Sequence, residues 1–344
     1  KTALLEGIKS LKITDVETPK CRNGEVLIKV GACGICRTDM KAYTYGQRDL
    51  ELPRILGHEI AGTVVDLGEG VSQVKTGERV QIAPGIPCGC CSYCLMGMHH
   101  MCDSVQIFGF HYDGGFAEYV LIPATGVSNG ILNKIPDHIS FQEATFTEPL
   151  ACSINMQDAL QVGIGDTVVI FGAGPLGILN AKLARKQGAG PIILLEINES
   201  RLAYASRQDF DYCINPLHDD PAQKVLEITC GKGADVVIPC CPDPNTFQSG
   251  LVMLGKRGRF GFFSGLITDS PALEADFNLI HYKELSVHGA YGCSTYHTRK
   301  ALELISTGKV TVKDLITLNI SLEDALLGLE KVRNSEEIKI MINY

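Results

Sequence analysis

Four cysteines in a short stretch carry the most specific chemistry in this chain. Cys88, Cys91, Cys94 and Cys102 follow the spacing C-x2-C-x2-C-x7-C. Four thiolates on one lobe suit a closed tetrahedral zinc site with no position left for a substrate. Such a site is structural, because it crosslinks a loop too poor in apolar residues to pack itself. Cys90 lies inside the lobe but falls out of the spacing and reads as a bystander.

A second constellation is scattered. Cys36 follows Gly34-Ile35 and precedes Thr38 and Asp39; His58 and Glu59 follow Gly57 about twenty residues later; Glu148 opens Glu148-Pro149-Leu150. None of these segments says much alone, since a single Cys or His is usually a core residue. Together they offer sulfur, nitrogen and oxygen ligands with one coordination position to spare, which is what a catalytic zinc requires.

The third signal is Gly172-Ala173-Gly174-Pro175-Leu176-Gly177, a G-x-G-x-x-G run. With 36 glycines in the chain the pattern alone is weak, so its context decides. Thr167-Val168-Val169-Ile170-Phe171 before it reads as a buried strand, and Leu176 to Gln187 after it as a helix. A second apolar strand, Ile192 to Leu195, ends at Glu196, 24 positions after Gly172. This is the dinucleotide-binding arrangement. Gly172 permits the turn, Gly174 lets the backbone approach a pyrophosphate, and Gly177 lets the helix pack on the strand. Pro175 suits a first helical turn, where its missing N–H costs little. Glu196 can take the hydroxyls of the adenosine ribose and would repel a 2′-phosphate, which favours NAD over NADP. Arg201, on the following helix, is a possible 2′-phosphate partner but does not displace Glu196.

These residues need a frame. At 344 residues the chain is comfortable as two domains. Short β-rich runs separated by turn signals fill the first part: Val26–Val30, Gly62–Val65, Arg79–Ile82 and Tyr119–Ile122. They suggest an all-β, barrel-like domain. From residue 141 the texture changes. Phe141 to Leu160 reads as mostly helical, after which apolar strands alternate with helices through Asp235–Ile238, Arg259–Phe262 and Leu285–Val287, implying a parallel sheet. A helix from Thr295, another from Leu322 to Val332 and a strand Ile338–Ile342 close the chain.

Composition narrows the function. The formal net charge is −8 and no basic block stands out, which argues against nucleic acid. No apolar run approaches the ~20 residues of a membrane span. The segment Lys1–Glu6 lacks the apolar core of a secretory signal. Clustered cysteines in a long chain of this kind, 14 in all, suggest metal binding and a cytoplasmic setting.

In order and in type, these segments resemble the zinc-dependent medium-chain alcohol dehydrogenase family. The resemblance rests on Gly34 to Asp39, Gly57-His58-Glu59, the four-cysteine lobe, Gly114-Gly115-Phe116-Ala117-Glu118-Tyr119, Glu148-Pro149-Leu150, Gly172 to Gly177 and Gly308-Lys309-Val310. It runs over essentially the whole chain. Glu-Pro-Leu at the third metal position resembles the polyol (sorbitol-type) and threonine dehydrogenase branches. The resemblance implies an α/β two-domain fold: a GroES-like β-barrel catalytic domain with a structural zinc lobe over 1–153 and 294–344, and a doubly wound Rossmann domain over 154–293. It implies two Zn²⁺ per chain and NAD. Cys36 and His58 would bind the catalytic zinc, Glu59 and Glu148 would be its variable ligands, and Asp39 would hydrogen-bond His58. Thr38 would relay the alcohol proton, and Arg37 would reach the cofactor pyrophosphate. Pro239-Cys240-Cys241-Pro242-Asp243-Pro244 departs from the family, which often has an acidic residue and glycine there; Cys240 and Cys241 read as small buried residues.

The expected activity is oxidation of a secondary alcohol, a polyol, cyclitol or sugar-derived alcohol, to a ketone by hydride transfer to NAD⁺. The alternatives on the same frame are a sugar-phosphate or L-threonine dehydrogenase. A zinc-free quinone or enoyl reductase would lack the metal ligands, and a non-catalytic nucleotide-binding relative would have no need of them. The expected partner is a small alcohol, in a homotetramer or homodimer.

Overall fold

The computed structural model describes residues 1–266, 272 and 274–344. The chain divides into two compact units, Lys1–Ala151 with Cys293–Tyr344, and Cys152–Gly292. The expected two-domain α/β fold is present. The first division falls inside the helix Thr147–Leu160, where nothing in the composition marks a break.

The first unit is built on a seven-stranded sheet. Six strands run in the order Leu132–Lys134, Arg79–Ile82, Glu59–Leu67, Val26–Ile35, Lys339–Asn343, Ile316–Ile320, and Tyr119–Ile122 also pairs with Val26–Ile35. The long central strand, VLIKVGACGI, is buried at nearly every position because both its neighbours and the core behind it are apolar. Its C-terminal half lies between Glu59–Leu67 and the chain's last strand: Gly34 is opposite Glu59 on one side and Met341 on the other. A core including Ile28, Val30, Ile60, Val80, Ile82, Phe108, Phe116 and Ile340 packs against this sheet.

The segment 141–160 is helical with a break at Phe146, giving Phe141–Thr145 and Thr147–Leu160. Ser140 and Glu143 cap the first of these reciprocally, each accepting the other's backbone N–H.

The second unit holds a six-stranded parallel sheet in the order Tyr212–Ile214, Ile192–Leu195, Val168–Phe171, Ala234–Pro239, Leu254–Phe262, Ser286–Gly289. Counted along the chain this order is 3-2-1-4-5-6, the doubly wound dinucleotide arrangement. The two inner strands VVIF and IILL are buried throughout, as strands covered by helices on both faces must be. The short strand Tyr212–Ile214 is not marked by any strong apolar run and was not expected from sequence. Among the described residues no helix is long and apolar enough to cross a membrane.

Candidate active site

Cys36 is where the central strand ends and the helix Arg37–Tyr45 begins. It is the helix N-cap: its sulfur lies 3.5 Å from the Thr38 N–H, while Asp39 Oδ2 accepts the Cys36 N–H at 2.9 Å. A helix N-terminus carries partial positive charge and free N–H groups, and one of these faces the sulfur. The Thr38 hydroxyl sits 3.6 Å from the same sulfur. Arg37, in the first helical turn, is exposed.

His58 precedes the strand Glu59–Leu67 and is buried. Gly57 before it has φ +95°, a left-handed conformation that a side chain would strain, and its N–H donates to Asp39 Oδ1 at 3.2 Å. The same oxygen is 3.1 Å from His58 Nδ1. Burial alone would lower the imidazole pKa, but the Asp39 carboxylate and the Cys36 sulfur outweigh it and hold the ring well above its usual value.

Ligand atoms of Cys36, His58 and Glu59 all lie within 4.8 Å of one another, so a helix cap, a loop residue and the first residue of a strand converge. A thiolate, an imidazole and a carboxylate at this separation fit a zinc ion chemically. Glu148, in the first turn of Thr147–Leu160, belongs to a separate group in which its carboxylate is within 4.8 Å of the Cys293 thiol.

Glu59 has a partner that sequence reading missed. Lys339 Nζ is 2.6 Å from Glu59 Oε1 and also contacts Oε2, with both side chains buried. Desolvation would depress this lysine, yet the charges of Glu59 and Cys36 raise its pKa above the ordinary value. A signal was present in the sequence: Lys339 is the one charge in Ile338-Lys339-Ile340-Met341-Ile342, and a lysine in a buried strand must be paired. Lys41 was also passed over. One turn after Arg37 on the same helix, it is lowered by burial and by the Arg37 charge.

The four lobe cysteines also converge, their sulfurs all within 4.8 Å. Backbone N–H groups of Cys90 and Cys91 point at Cys88 Sγ, at 3.5 and 3.3 Å, and lower its pKa to about 5. Cys94 is buried and is pushed up to about 12. Cys90 is exposed and outside the group, although its sulfur is 3.7 Å from that of Cys88. Thiols this close, none of them in a disulfide, suit a closed zinc site that would take them all as thiolates.

In the second unit the strand Val168–Phe171 turns at Gly172, with φ +96°, into the helix Pro175–Lys186. A Cβ on Gly177 would stand 1.8 Å from the Gly172 carbonyl oxygen, so only glycine allows this approach. Gly174 is the helix N-cap and Pro175 takes the first turn, followed by Leu176. Glu196 is buried; its Oε2 accepts the Ala173 N–H at 2.7 Å and its Oε1 the Asn198 N–H at 2.8 Å. The guanidinium of Arg201 reaches over the turn, with Nη1 3.6 Å from where a Gly174 Cβ would stand. Cys240 and Cys241 are half-buried, and burial raises both thiols, which is the opposite of redox activation.

Comparison with known proteins supports the same frame. Residues 22–136 match the alcohol dehydrogenase GroES-like domain and residues 175–307 the zinc-binding dehydrogenase family. The chain is 37% identical over 316 residues to L-threonine 3-dehydrogenase of Pyrococcus furiosus, covering 89% of this chain and 87% of the relative. It is 30% identical over 348 residues to sorbitol dehydrogenase of Bacillus subtilis, covering 99% and 96%. A solved zinc-binding dehydrogenase from Sinorhizobium meliloti, bound to NADP, superposes with a TM-score of 0.92 at 30% identity, covering 100% of this chain and 98% of that one. With identity of this level over nearly its full length, the chain is an oxidoreductase and belongs to the zinc-dependent medium-chain alcohol dehydrogenase family, among the polyol and threonine dehydrogenase branches.

Proposed function

We propose that this protein is a zinc-dependent, NAD-linked dehydrogenase that oxidises a secondary alcohol, a polyol, cyclitol or other sugar-derived alcohol, to a ketone. The observation that carries this reading is the convergence of Cys36, His58 and Glu59 in the first unit, a donor set that leaves room for substrate. Bound there, zinc supplies Lewis acidity toward the alcohol oxygen, and the nicotinamide accepts the hydride.

The chain's own residues do the rest. Cys36 and His58 hold the metal, with Glu59 and Glu148 as the variable carboxylates. Asp39, in contact with His58 Nδ1, would orient the ring and leave Nε2 as the atom that could bind the metal. The Thr38 hydroxyl, beside the Cys36 sulfur, takes the alcohol proton and passes it on. In the second unit Gly172, Gly174 and Gly177 leave the pyrophosphate its backbone cradle, while Pro175 and Leu176 open the helix that faces it. Glu196, already anchored by two N–H groups, takes the adenosine ribose hydroxyls. Arg201, beside the Gly174 turn, contributes positive charge on the phosphate side of the cradle. Cys88, Cys91, Cys94 and Cys102 hold the structural zinc.

Named relatives that act on sorbitol and on threonine at C3 support a secondary carbinol. L-Threonine is the second reading, favoured by the Pyrococcus furiosus relative. A zinc determination and a screen for NADH formation across polyols, inositols, sugar phosphates, threonine and simple secondary alcohols test both. Turnover of polyols or inositols above threonine supports the first reading, the reverse supports the second, and a zinc-free chain that reduces no NAD⁺ overturns both.

A further inference from the structure

The four-cysteine lobe holds a fifth thiol that the zinc reading leaves without a task. Four thiolates about 2.3 Å from a tetrahedral ion stand about 3.8 Å apart. Cys88 and Cys94 keep that spacing, with their sulfurs at 3.8 Å. Cys90 Sγ is as close to Cys88 Sγ, at 3.7 Å, yet it lies outside the group in which Cys88, Cys91, Cys94 and Cys102 converge. A closed site of four thiolates has no position for it. Access separates the five further: Cys90 is exposed, Cys88 and Cys91 are half-buried, and Cys94 and Cys102 are buried.

The turn between the two sulfurs is fixed from outside the lobe. Gly89 has φ +78°, a conformation that a side chain would strain. A Cβ on it would also stand 2.3 Å from Asn129 Oδ1. The Asn129 amide is itself held, donating from Nδ2 to the carbonyls of Pro87 at 2.9 Å and Thr125 at 2.8 Å. Cys88 and Cys90 are thus presented side by side on a turn that its surroundings hold in place. A disulfide has its sulfurs about 2.0 Å apart, so Cys90 Sγ, free of the metal, has less than about 2 Å to travel.

We propose that Cys90 is the resolving thiol of the lobe: when a peroxide oxidises Cys88, Cys90 closes a Cys88–Cys90 disulfide and the structural zinc is released reversibly. This rests on the zinc reading of the lobe and is independent of the substrate. The electron pair of the Cys88 thiolate attacks one peroxide oxygen. The S–O bond forms, the O–O bond breaks, and the departing hydroxide takes a solvent proton to become water. Cys91, Cys94 and Cys102 are tied to the metal, so Cys90 is the thiol free to attack Cys88 Sγ. The S–S bond forms, the S–O bond breaks, and the hydroxyl leaves with the Cys90 proton as a second water. Two electrons have passed from the two sulfurs to the peroxide. The ion is left one ligand short of its closed set and dissociates. Without Cys90, oxidation of Cys88 continues to the sulfinic acid, which a thiol reductant does not restore.

The test uses the full-length zinc-loaded protein. Hydrogen peroxide should release the lobe zinc into a chromogenic chelator, and peptide mapping should find Cys88 joined to Cys90. Following Cys36 in the same digest separates loss at the lobe from loss at the catalytic centre. Dithiothreitol with added zinc should reload the wild-type lobe fully. Cys90→Ser should match the wild type in zinc content and melting temperature before oxidation, since the side chain is exposed and outside the ligand set. After the same peroxide treatment it should carry Cys88 as sulfinic or sulfonic acid, and reductant with zinc should not reload it. A disulfide from Cys88 to Cys91, Cys94 or Cys102 instead of Cys90, or full reloading of oxidised Cys90→Ser, overturns the proposal. So does a lobe that keeps its zinc in peroxide that oxidises free cysteine to completion, or a Cys90→Ser protein that lacks the lobe zinc from the start. A wild type with no zinc at the lobe before oxidation fails the zinc reading itself, a result distinct from failure of the Cys90 role.

Discussion

The Asp39 carboxylate touches His58 Nδ1 at 3.1 Å through the same oxygen that accepts the Gly57 N–H, while its other oxygen accepts the N–H of Cys36. One buried side chain thus ties the helix cap that carries a cysteine sulfur to the loop that carries an imidazole. Two candidate ligands from different segments are set at their separation by a group that is not itself in the ligand set. An imidazole whose Nδ1 faces a carboxylate presents Nε2 to an ion.

Asp39→Asn should therefore weaken zinc binding at the catalytic site by ~10–100-fold while leaving the four-cysteine lobe loaded. The pH dependence follows from the same contact. In the metal-free protein Asp39 and Cys36 hold the His58 ring protonated above its usual range, and zinc takes only the neutral ring. Protons compete with zinc below that raised pKa and cease to compete as pH rises through it. Affinity should climb with pH in the wild type and climb less steeply near neutrality in Asp39→Asn. Chelator competition across the neutral range measures both; a pH-independent wild-type affinity contradicts the argument.

Cys36→Ala and Thr38→Ala should separate metal holding from proton transfer. Losing the thiolate should cost at least ~3 orders of magnitude in kcat/KM, about 4 kcal/mol of transition-state stabilisation, together with one zinc per chain. Losing the hydroxyl should keep both zinc ions and slow turnover on the order of 10²-fold. NADH binding should be nearly unchanged in either. Turnover, zinc content and NADH affinity measured on the same preparations distinguish the roles, and wild-type turnover in Cys36→Ala would exclude the zinc mechanism.

Cofactor choice turns on Glu196. Its carboxylate, fixed by the Ala173 and Asn198 N–H groups, should give NAD⁺ at least a ~10-fold advantage in kcat/KM over NADP⁺, the worth of one charged hydrogen bond gained against a like-charge contact. Glu196→Ala should narrow that ratio, and Arg201 beside the turn should then help NADP⁺. The ratio is the readout, because the variant also leaves two N–H groups without their acceptor and weakens both cofactors. Equal efficiencies in the wild type would remove the basis for this reading.

Cys94→Ser should act on stability. Cys94 is buried within the lobe, and metal binding there contributes folding free energy. One zinc per chain should be lost and the melting temperature should drop, or the protein should fail to accumulate. An unchanged melting temperature and full zinc content would show that the lobe does not hold the ion.

Much of this protein is determined over short stretches of sequence. Cys88 to Cys102 come together at little loop-closure cost because all four lie within fifteen residues, and Gly172 to Gly177 makes its turn from local backbone geometry. Cys36, Thr38 and Asp39 share a helix start for the same reason. The parallel sheet is legible in apolar runs such as Val168–Phe171, since strands covered on both faces need no alternation. What only the tertiary structure decided lies across the sheet. Glu59 and Lys339 are 280 positions apart and meet because the chain's last strand lies next to Val26–Ile35, which itself adjoins the strand of Glu59. Strand register at that depth is set by which apolar faces pack together, and no local spacing records it. The same holds for Gly34, whose sequence neighbours give no reason for glycine; the reason is two side chains from elsewhere in the chain passing over it.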